Sequence, residues 1–583
     1  MFKKVKLLLT LLLCLTITLT FFTACQSKKD DVSSTTSTTT KTDQTASTTA
    51  EGQNTYSSKV TPPGELPITR EKYKLTAFGY THNPRNTDLI NNQFTKWLEE
   101  KTNVFVEVQS VNQSDFAVQL QLLMSSGDYP EVILKPNWTR STLLAYAKEG
   151  IIMPLTDLIE KYGYYWKKAV EDTPELLTDV TMPDGQIYCL GRTNQWRYKT
   201  EVSVYYYQPY LDKLGLDIPE TTEEFYNYLK LVKENDVNGN GDPNDEIPLA
   251  GSGVSTGDFV KGILNAFVPF SRSGDGNIET MYVENGTVTH VTFDEAFKEG
   301  IKYIHKLYKE GLIAKDAFTM DKDQLLSLGT NENHIVGSAF INHLTHITTF
   351  QDGVPGDWLN WTPGPPLKGP NGVQIAAAYL ADNFYGAAWV QTDKTRDPEI
   401  AFRVGDFLFD YEATTRCFYG AEGVGWRYIE PGVGVGVTGM PATWEFNVGH
   451  DGKPRPESDA NWGWIQAGPM NTSEKWHGER LVRDPDLNSE VKMYKSYQLQ
   501  LPHIFPIENT LHRVIYDDEY QAEMADLVTS LNSLIREYIA RFTTGDLDID
   551  KDWDTFVDQV KKAGIDRAVE IAQIAYDKFY KSR

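Results

Sequence analysis

Apolar residues along the chain fall into two rhythms, and the two rhythms predict two kinds of element. Short runs dense in β-branched and aromatic residues, at 74–78, 104–108, 132–134 and 247–250, read as strands. Between them, apolar residues recur every three or four positions, which is the spacing of one helix face. One such helix carries Trp97 and Leu98, with Thr87 as its expected cap. Another is expected to start at Ser114, carry Phe116, Leu120 and Leu123, and stop at Gly127. Capping-box spacing appears twice: Thr221 to Glu224, ahead of Phe225, Leu229 and Val232, and Thr292 to Glu295, ahead of Phe297, Ile301, Ile304 and Tyr308. Asp397-Pro398 opens a further helix through Phe402, Leu408 and Phe409. The C-terminal part reads as two helices, about 517–543 and 550–580, and no fixed-period repeat is present. Alternating strands and helices predict an α/β fold built on a mostly parallel, doubly wound sheet. Ligands in such sheets sit beyond the carboxyl ends of the strands. Tyr80 and Trp138 fall just after such ends.

The N-terminal residues break this rhythm. Residues 1–24 read as an export signal, with Lys3, Lys4 and Lys6 ahead of an apolar run over 7–22. The run is short for a membrane span and stops at Thr23-Ala24-Cys25, which resembles a bacterial lipobox with Phe22 in place of the usual Leu. In that reading Cys25 is lipidated after cleavage. Two acyl chains anchor stably, at about 0.8 kcal/mol per buried CH₂, where one is marginal. Residues 25–67 are Ser/Thr-rich, poor in large apolar groups and end near Pro62-Pro63, so a flexible tether is expected. About 40 such residues reach roughly 35 Å on average. A folded body over 68–583 then hangs off the outer face of the membrane.

Composition narrows the partners. With 40% hydrophobic and 12% aromatic residues the 583-residue chain has ample material for a core. Its formal charge of −24 argues against nucleic acid, whose binding depends on neutralising phosphates. Of the four cysteines, Cys14 lies in the signal and Cys25 is the lipid site. Cys189 and Cys417 could pair outside the cell, but they form no disulfide framework, and two buried thiols are the expectation.

Candidate chemistry concentrates at Asp236-Val237-Asn238-Gly239-Asn240-Gly241-Asp242-Pro243-Asn244-Asp245-Glu246-Ile247. Oxygen-bearing side chains at alternate positions 236, 238 and 240, with glycine at the sixth place, match the first half of an EF-hand loop. A calcium ion wants six to eight oxygens, and the Asp242 carbonyl, Asp245 and Glu246 complete the set. Ile247 holds the twelfth place, so the closing carboxylate must come earlier. A plain Asn/Gly turn is the alternative.

Other motifs are weaker. Gly253-Val254-Ser255-Thr256-Gly257 has the form of a nucleophile elbow after a strand, but no HGGG-type oxyanion segment precedes it. His343 and His346 lack the Glu and spacing of a zinc protease. No phosphate-binding loop is present, so any ATP hydrolysis belongs to a partner.

Several stretches together resemble one family. They are Ser126-Gly127-Asp128-Tyr129-Pro130-Glu131-Val132, Gly150-Ile151-Ile152-Met153-Pro154-Leu155, Asp184-Gly185-Gln186-Ile187-Tyr188, the loop just described, Tyr419-Gly420-Ala421-Glu422-Gly423, Phe542-Thr543-Thr544-Gly545 and Asp550-Lys551-Asp552-Trp553. In order and spacing over about 70–580 the chain is similar to extracellular solute-binding lipoproteins of the family-1 type. These serve ATP-driven carbohydrate importers, and the likeness is to the large oligosaccharide-binding branch. The resemblance implies a periplasmic-binding-protein-like (type II) fold of two α/β lobes, interleaved in sequence, with a hinge, a ligand cleft and extra C-terminal helices. It also implies a monomer that binds an oligosaccharide, partners an ABC transporter permease and performs no catalysis. A structural calcium at the 236–246 loop belongs to the same picture, with Asn244 and Asp245 as alternatives for the fifth place. Sugar sites need flat aromatic faces and convergent polar groups. The expected ligand-binding residues are Tyr80, Trp138, Trp196, Trp361, Asn383, Glu422 and Trp426, while Trp97, Trp166 and Trp553 lie on helix faces and are expected in the core. A receptor for another solute, such as a peptide or modified sugar, is the nearest alternative, and an extracellular hydrolase a more distant one.

Overall fold

The computed structural model describes residues 56–81, 86–193, 201–252, 257–270, 278–377, 384, 386–446, 461–464, 468–511 and 514–581. The expected signal, Cys25 and most of the expected tether lie outside them. The last part of that tether does not: Val60 is buried, pairs with the backbone of the 68–69 region, and the Arg403 guanidinium donates to the Glu65 carbonyl at 2.9 Å. The Pro-rich end of the stretch is thus held by bonds to its backbone and by the burial of Val60, which composition does not reveal.

β1 (Tyr73–Thr81) pairs in parallel with β2 (Val104–Asn112), from Tyr73↔Val104 to Thr81↔Asn112. β3 (Val132–Leu134) joins the other side of β1, also in parallel. The chain then builds β4 (Ser203–Tyr207), β5 (Ile247–Ala250), a hairpin of β6 (Met281–Glu284) and β7 (Thr287–His290), β8 (Val336–Ile341) and β9 (Trp361–Pro363). It returns to the first sheet as β10 (Trp389–Gln391), antiparallel to β3, and ends its strand content with the hairpin β11 (Trp426–Tyr428) and β12 (Trp444–Phe446). The sheet orders are β10-β3-β1-β2 and β5-β8-β4-β9. β5 and β8 run parallel, whereas β4 is antiparallel to both β8 and β9. The sheets are therefore mixed, not mostly parallel. An apolar run carries no direction; β4 and β10 acquire theirs from crossing in from the other sheet.

Each sheet has its own hydrophobic core. One draws on residues between Val60 and Leu190 and again between Phe384 and Met470, the other on residues between Val202 and Ala377 and again from Val437 to Tyr576. The chain passes between the two groups after Leu190, after Ala377 and again after Met470. At these passages the N–H groups of Glu201 and Val202 both donate to the Ala377 carbonyl, at 2.8 and 3.2 Å, and Thr193 N–H donates to the Met470 carbonyl at 3.2 Å. A third, small cluster consists of Trp426, Trp444 and Trp476.

Helix starts follow the caps. The Thr221 hydroxyl accepts from Glu224 N–H at 3.1 Å and the Glu224 carboxylate accepts from Thr221 N–H at 3.0 Å, the expected box, opening the helix Thr222–Glu234. The helix carrying Trp97 starts at Gln93, capped by Asn92 instead of Thr87, and the helix Gln113–Ser126 starts before Ser114. Thr292 is buried against the Thr280 hydroxyl at 2.9 Å, so the helix Glu295–Lys309 follows Asp294 without the expected box. The expected 550–580 helix is two, Ile549–Lys562 and Ile565–Lys581, separated at Gly564. There φ is +96°, and an added Cβ would sit 2.7 Å from Leu527 Cδ2 in the preceding helix Asp518–Thr544. That preceding helix also places Arg536 between Asp258 (2.7 Å) and Glu279 (2.6 Å). Beside them Lys261 pairs with Glu201 at 2.5 Å, so the end of one crossing is tied by charge to the C-terminal helices.

Cys189 and Cys417 are both buried and neither is in a disulfide, and burial pushes the Cys417 thiol up to about 12. The native chain is therefore expected to give no reaction with a thiol reagent until denaturant is added. Rapid labelling of the folded chain would contradict this.

Candidate functional site

The 236–246 loop lies between the C-terminal end of the helix Thr222–Glu234 and β5. Asp236 organises it: Oδ1 accepts from the N–H of Gly239 at 2.7 Å and Asn240 at 3.1 Å, and Oδ2 from Gly241 N–H at 3.0 Å. Three successive amides converge on one carboxylate only because the backbone turns left-handed at Gly239 (φ +76°) and Gly241 (φ +92°). The Asn238 and Asn240 amides both face Asp245, at 3.1 and 2.6 Å, whereas Asn244 turns toward Asp242. Glu246 is 3% exposed, and its Oε2 makes no hydrogen bond. The neighbouring ammonium of Lys213 is taken by the carbonyls of Asp236 and Val237. The negative field is felt nearby: burial first, then Glu246, Asp245 and Asp236, hold the Tyr210 phenol far above its ordinary range. Among the described residues no group of three His, Cys, Asp or Glu side chains is gathered tightly enough to hold a metal unaided. Any ion here must also use amide and backbone oxygens, which is the chemistry of a hard cation. A buried carboxylate oxygen without a donor, beside two further carboxylates, fits that group.

Of the expected sugar-binding residues that are described, three are buried. Tyr80 is 1% exposed on β1, its ring 4.9 Å from that of Phe116. Trp361 is 1% exposed on β9, packed at 5.5 Å against Tyr207. Trp426 is fully buried, and its indole N–H donates to the Gly420 carbonyl at 2.9 Å. These three have no open face for a sugar ring in this structure. They do sit at strand ends or beside loops, as expected, but polar neighbours do not report burial by distant segments. Trp138 is half-buried, 4.7 Å from Tyr146, and Glu422 is exposed, 4.0 Å from Arg416. Trp196 and Asn383 fall outside the described residues. So does Ser255; the flanking Ser252 N–H donates to the Gly257 carbonyl at 2.8 Å. His343 binds the Thr345 hydroxyl through Nδ1 at 2.9 Å, and its ring lies 6.2 Å from that of His346. Trp166 and Trp553 are in the core as expected, and Trp97 is partly buried against it.

The end of the first sheet is nevertheless unusual. Lys135, Asn137 and Ala387 all have positive φ, and a Cβ on Gly386 would sit 2.9 Å from Asn137 Cα. Such strain at a strand's carboxyl end accompanies binding sites. Lys135 is buried there, and burial followed by the nearby Arg192 charge brings its ammonium down to about 7.

Two mixed sheets with separate cores, joined where the chain crosses between them, define a periplasmic-binding-protein-like fold of two α/β lobes with added C-terminal helices. Residues 83–415, more than half of the chain, match the bacterial extracellular solute-binding protein family, and the chain belongs to that family. It is 26% identical over 492 residues to the fructooligosaccharide ABC transporter substrate-binding protein FusA of Streptococcus pneumoniae serotype 4, covering 83% of this chain and 86% of that protein. Two solved structures share its fold. One is an extracellular solute-binding protein from Bifidobacterium longum subsp. infantis, with a TM-score of 0.73 and 21% identity, covering 87% of this chain and 98% of that one. The other is an S. pneumoniae FusA EF-hand mutant in complex with fructo-nystose, with a TM-score of 0.68 and 23% identity, covering 88% and 100%.

Proposed function

We propose that this chain is the membrane-tethered receptor of an ATP-driven importer: it captures an oligosaccharide between its two α/β cores and hands it to the permease subunits. The observation that carries this reading is the family match over 83–415 on a fold with two cores and chain crossings between them. Hinge closure around the ligand is the behaviour such an architecture allows. Binding then rests on stacking and hydrogen bonding, with Trp138 and Glu422 as accessible contributors beside Trp196 and Asn383. No bond in the ligand is made or broken. Cys25 supplies the lipid anchor at the outer face of the membrane, the body from about residue 56 onward works as a monomer, and its two cores are the two lobes. Among the described residues no helix is long and apolar enough to cross a membrane.

The 236–246 loop holds calcium in this reading. Asp236, Asn238, Asn240, the Asp242 carbonyl, Asp245 and Glu246 are the ligands, with Asp245 preferred over Asn244 because its carboxylate faces both asparagine amides. The ion supplies counter-charge for buried Glu246 and ties a helix end to β5; it takes no part in the sugar site.

The test is a thermal-shift and calorimetric screen of the soluble chain against oligosaccharides, with product analysis alongside. A raised melting temperature with the sugar recovered intact is expected. Sugar cleavage that is lost in Ser255→Ala would overturn the receptor reading.

A further inference from the structure

The chain enters its second core at Glu201 and Val202, whose amides both donate to the Ala377 carbonyl at the next crossing. One short helix, Phe259–Leu264, holds both crossings at this point. The Asn265 carbonyl just after it accepts from Ile375 N–H at 3.1 Å. The Lys261 ammonium on it meets Glu201 Oε2 at 2.5 Å. We propose that Lys261 is a positioning residue for the hinge: its pair with Glu201 fixes the angle at which the first crossing meets the second core, and the C-terminal helices hold it there. This rests on the receptor reading above and names residues that act in its closure.

The pair is withdrawn from water: the Lys261 side chain is 6% exposed and that of Glu201 11%. Separating such a pair leaves a bare charge in the core, so it resists movement as a surface pair does not. Glu279 Oε1 stands 4.0 Å from the same ammonium and links it to the C-terminal helices. The Arg536 guanidinium grips Glu279 through Nε at 2.6 Å and Nη2 at 3.0 Å. It grips Asp258 through Nη1 at 3.2 Å and Nη2 at 2.7 Å. Such forks fix direction as well as distance. Asn532, one turn earlier on the helix Asp518–Thr544, accepts from Glu279 N–H at 3.0 Å. Asp258 in turn caps the helix that carries Lys261, accepting from Lys261 N–H at 3.0 Å.

The path is therefore continuous. It runs from the helix Asp518–Thr544 through Arg536 to Asp258 and Glu279, then to Lys261, and from Lys261 to Glu201 beside the Ala377 carbonyl. Three acids and two bases share it, and every charge meets an opposite one. A hinge rotation of one core against the other bends the chain where it crosses, and the bend needs a fixed end to work from. Glu201 is that end on the side of the second core.

The test reads the distance between the cores in the soluble chain without sugar, by pulsed electron paramagnetic resonance. Spin labels go on Glu100→Cys and Lys309→Cys, exposed positions on helices that pack on the first and second core. The buried Cys189 and Cys417 stay unlabelled. Lys261→Met alone strands Glu201, so the main probe is Lys261→Met combined with Glu201→Leu. Replacing both ions by apolar groups spares the fold and removes the tie. The distance distribution of this double variant is expected to be about twice as wide as that of wild type. Lys261→Arg keeps the charge and should match wild type. Arg536→Lys loses the fork on its two carboxylates and should fall between. Melting curves establish that each variant is folded. An unchanged distribution in the folded double variant would overturn the proposal. A wild-type distribution in Arg536→Lys would overturn the part given to the C-terminal helices. No glycan enters this measurement, so the two readings fail separately. A wild type that binds no oligosaccharide in the screen above overturns the receptor reading, whatever the distances show.

Discussion

Asp236→Ala is expected to lower the melting temperature by several degrees, to make it insensitive to chelator, and to weaken sugar binding only a few-fold. Asp236 accepts three backbone N–H groups, and each such bond is worth about 1 kcal/mol net. A cation present at a hundred times its dissociation constant adds about 2.7 kcal/mol to wild type, and the variant forgoes it. The two effects together amount to about 6 kcal/mol. They fall on the second core, where Val237 is buried, whereas Trp138 packs against the first. The transmitted loss of sugar affinity is therefore small. Melting curves with and without chelator and calcium, followed by calorimetry with a bound sugar, read both quantities. A chelator that abolished binding while leaving the melting temperature unchanged would place the ion in the sugar site and refute the assignment.

The second large effect is expected at Trp476→Ala. This indole is 1% exposed, stacks on Trp444 at 5.1 Å and lies parallel to Tyr419 at 6.2 Å, and its N–H donates to the Thr415 hydroxyl at 2.9 Å. Truncating a buried Trp costs about 3–5 kcal/mol. The cluster contains three tryptophans, so the loss has no large core to spread into. Amide exchange in β11 and β12 should accelerate far more than in β1 and β2, and a separate early transition should appear in urea. A uniform loss of protection across both sheets would show instead that the cluster is one cooperative unit with the rest.

Much of the architecture is legible in the order of residues alone. The runs at 247–250 and 132–134 are β5 and β3 to the residue, Gly127 ends its helix in the left-handed conformation, and the Thr221–Glu224 box forms as written. These features depend on residues within one or two turns of each other. The same is true of the 236–246 loop, whose oxygens and glycines meet because a tight turn brings neighbours together. The expected caps at Thr87 and Thr292 do not form, for an equally physical reason. A hydroxyl caps a helix only if the helix begins beside it, and here the helix begins at Glu295 behind Asp294, with Thr292 donating to the Thr280 hydroxyl instead.

The binding surface is less legible. Trp361 and Trp426 have the polar, loop-rich neighbourhoods of site residues, yet their rings are covered by Tyr207 and by the cluster around Trp444 and Trp476. The chain by itself determined the element types, the acidic character, the turn that gathers Asp236, Asn238, Asn240 and Asp245, and a family-wide order of motifs. The tertiary structure decided strand direction, the division into two cores and which aromatic faces are open. Local spacing fixes contacts made by short loops, whereas burial and convergence are set by segments hundreds of residues apart, whose meeting no local pattern encodes.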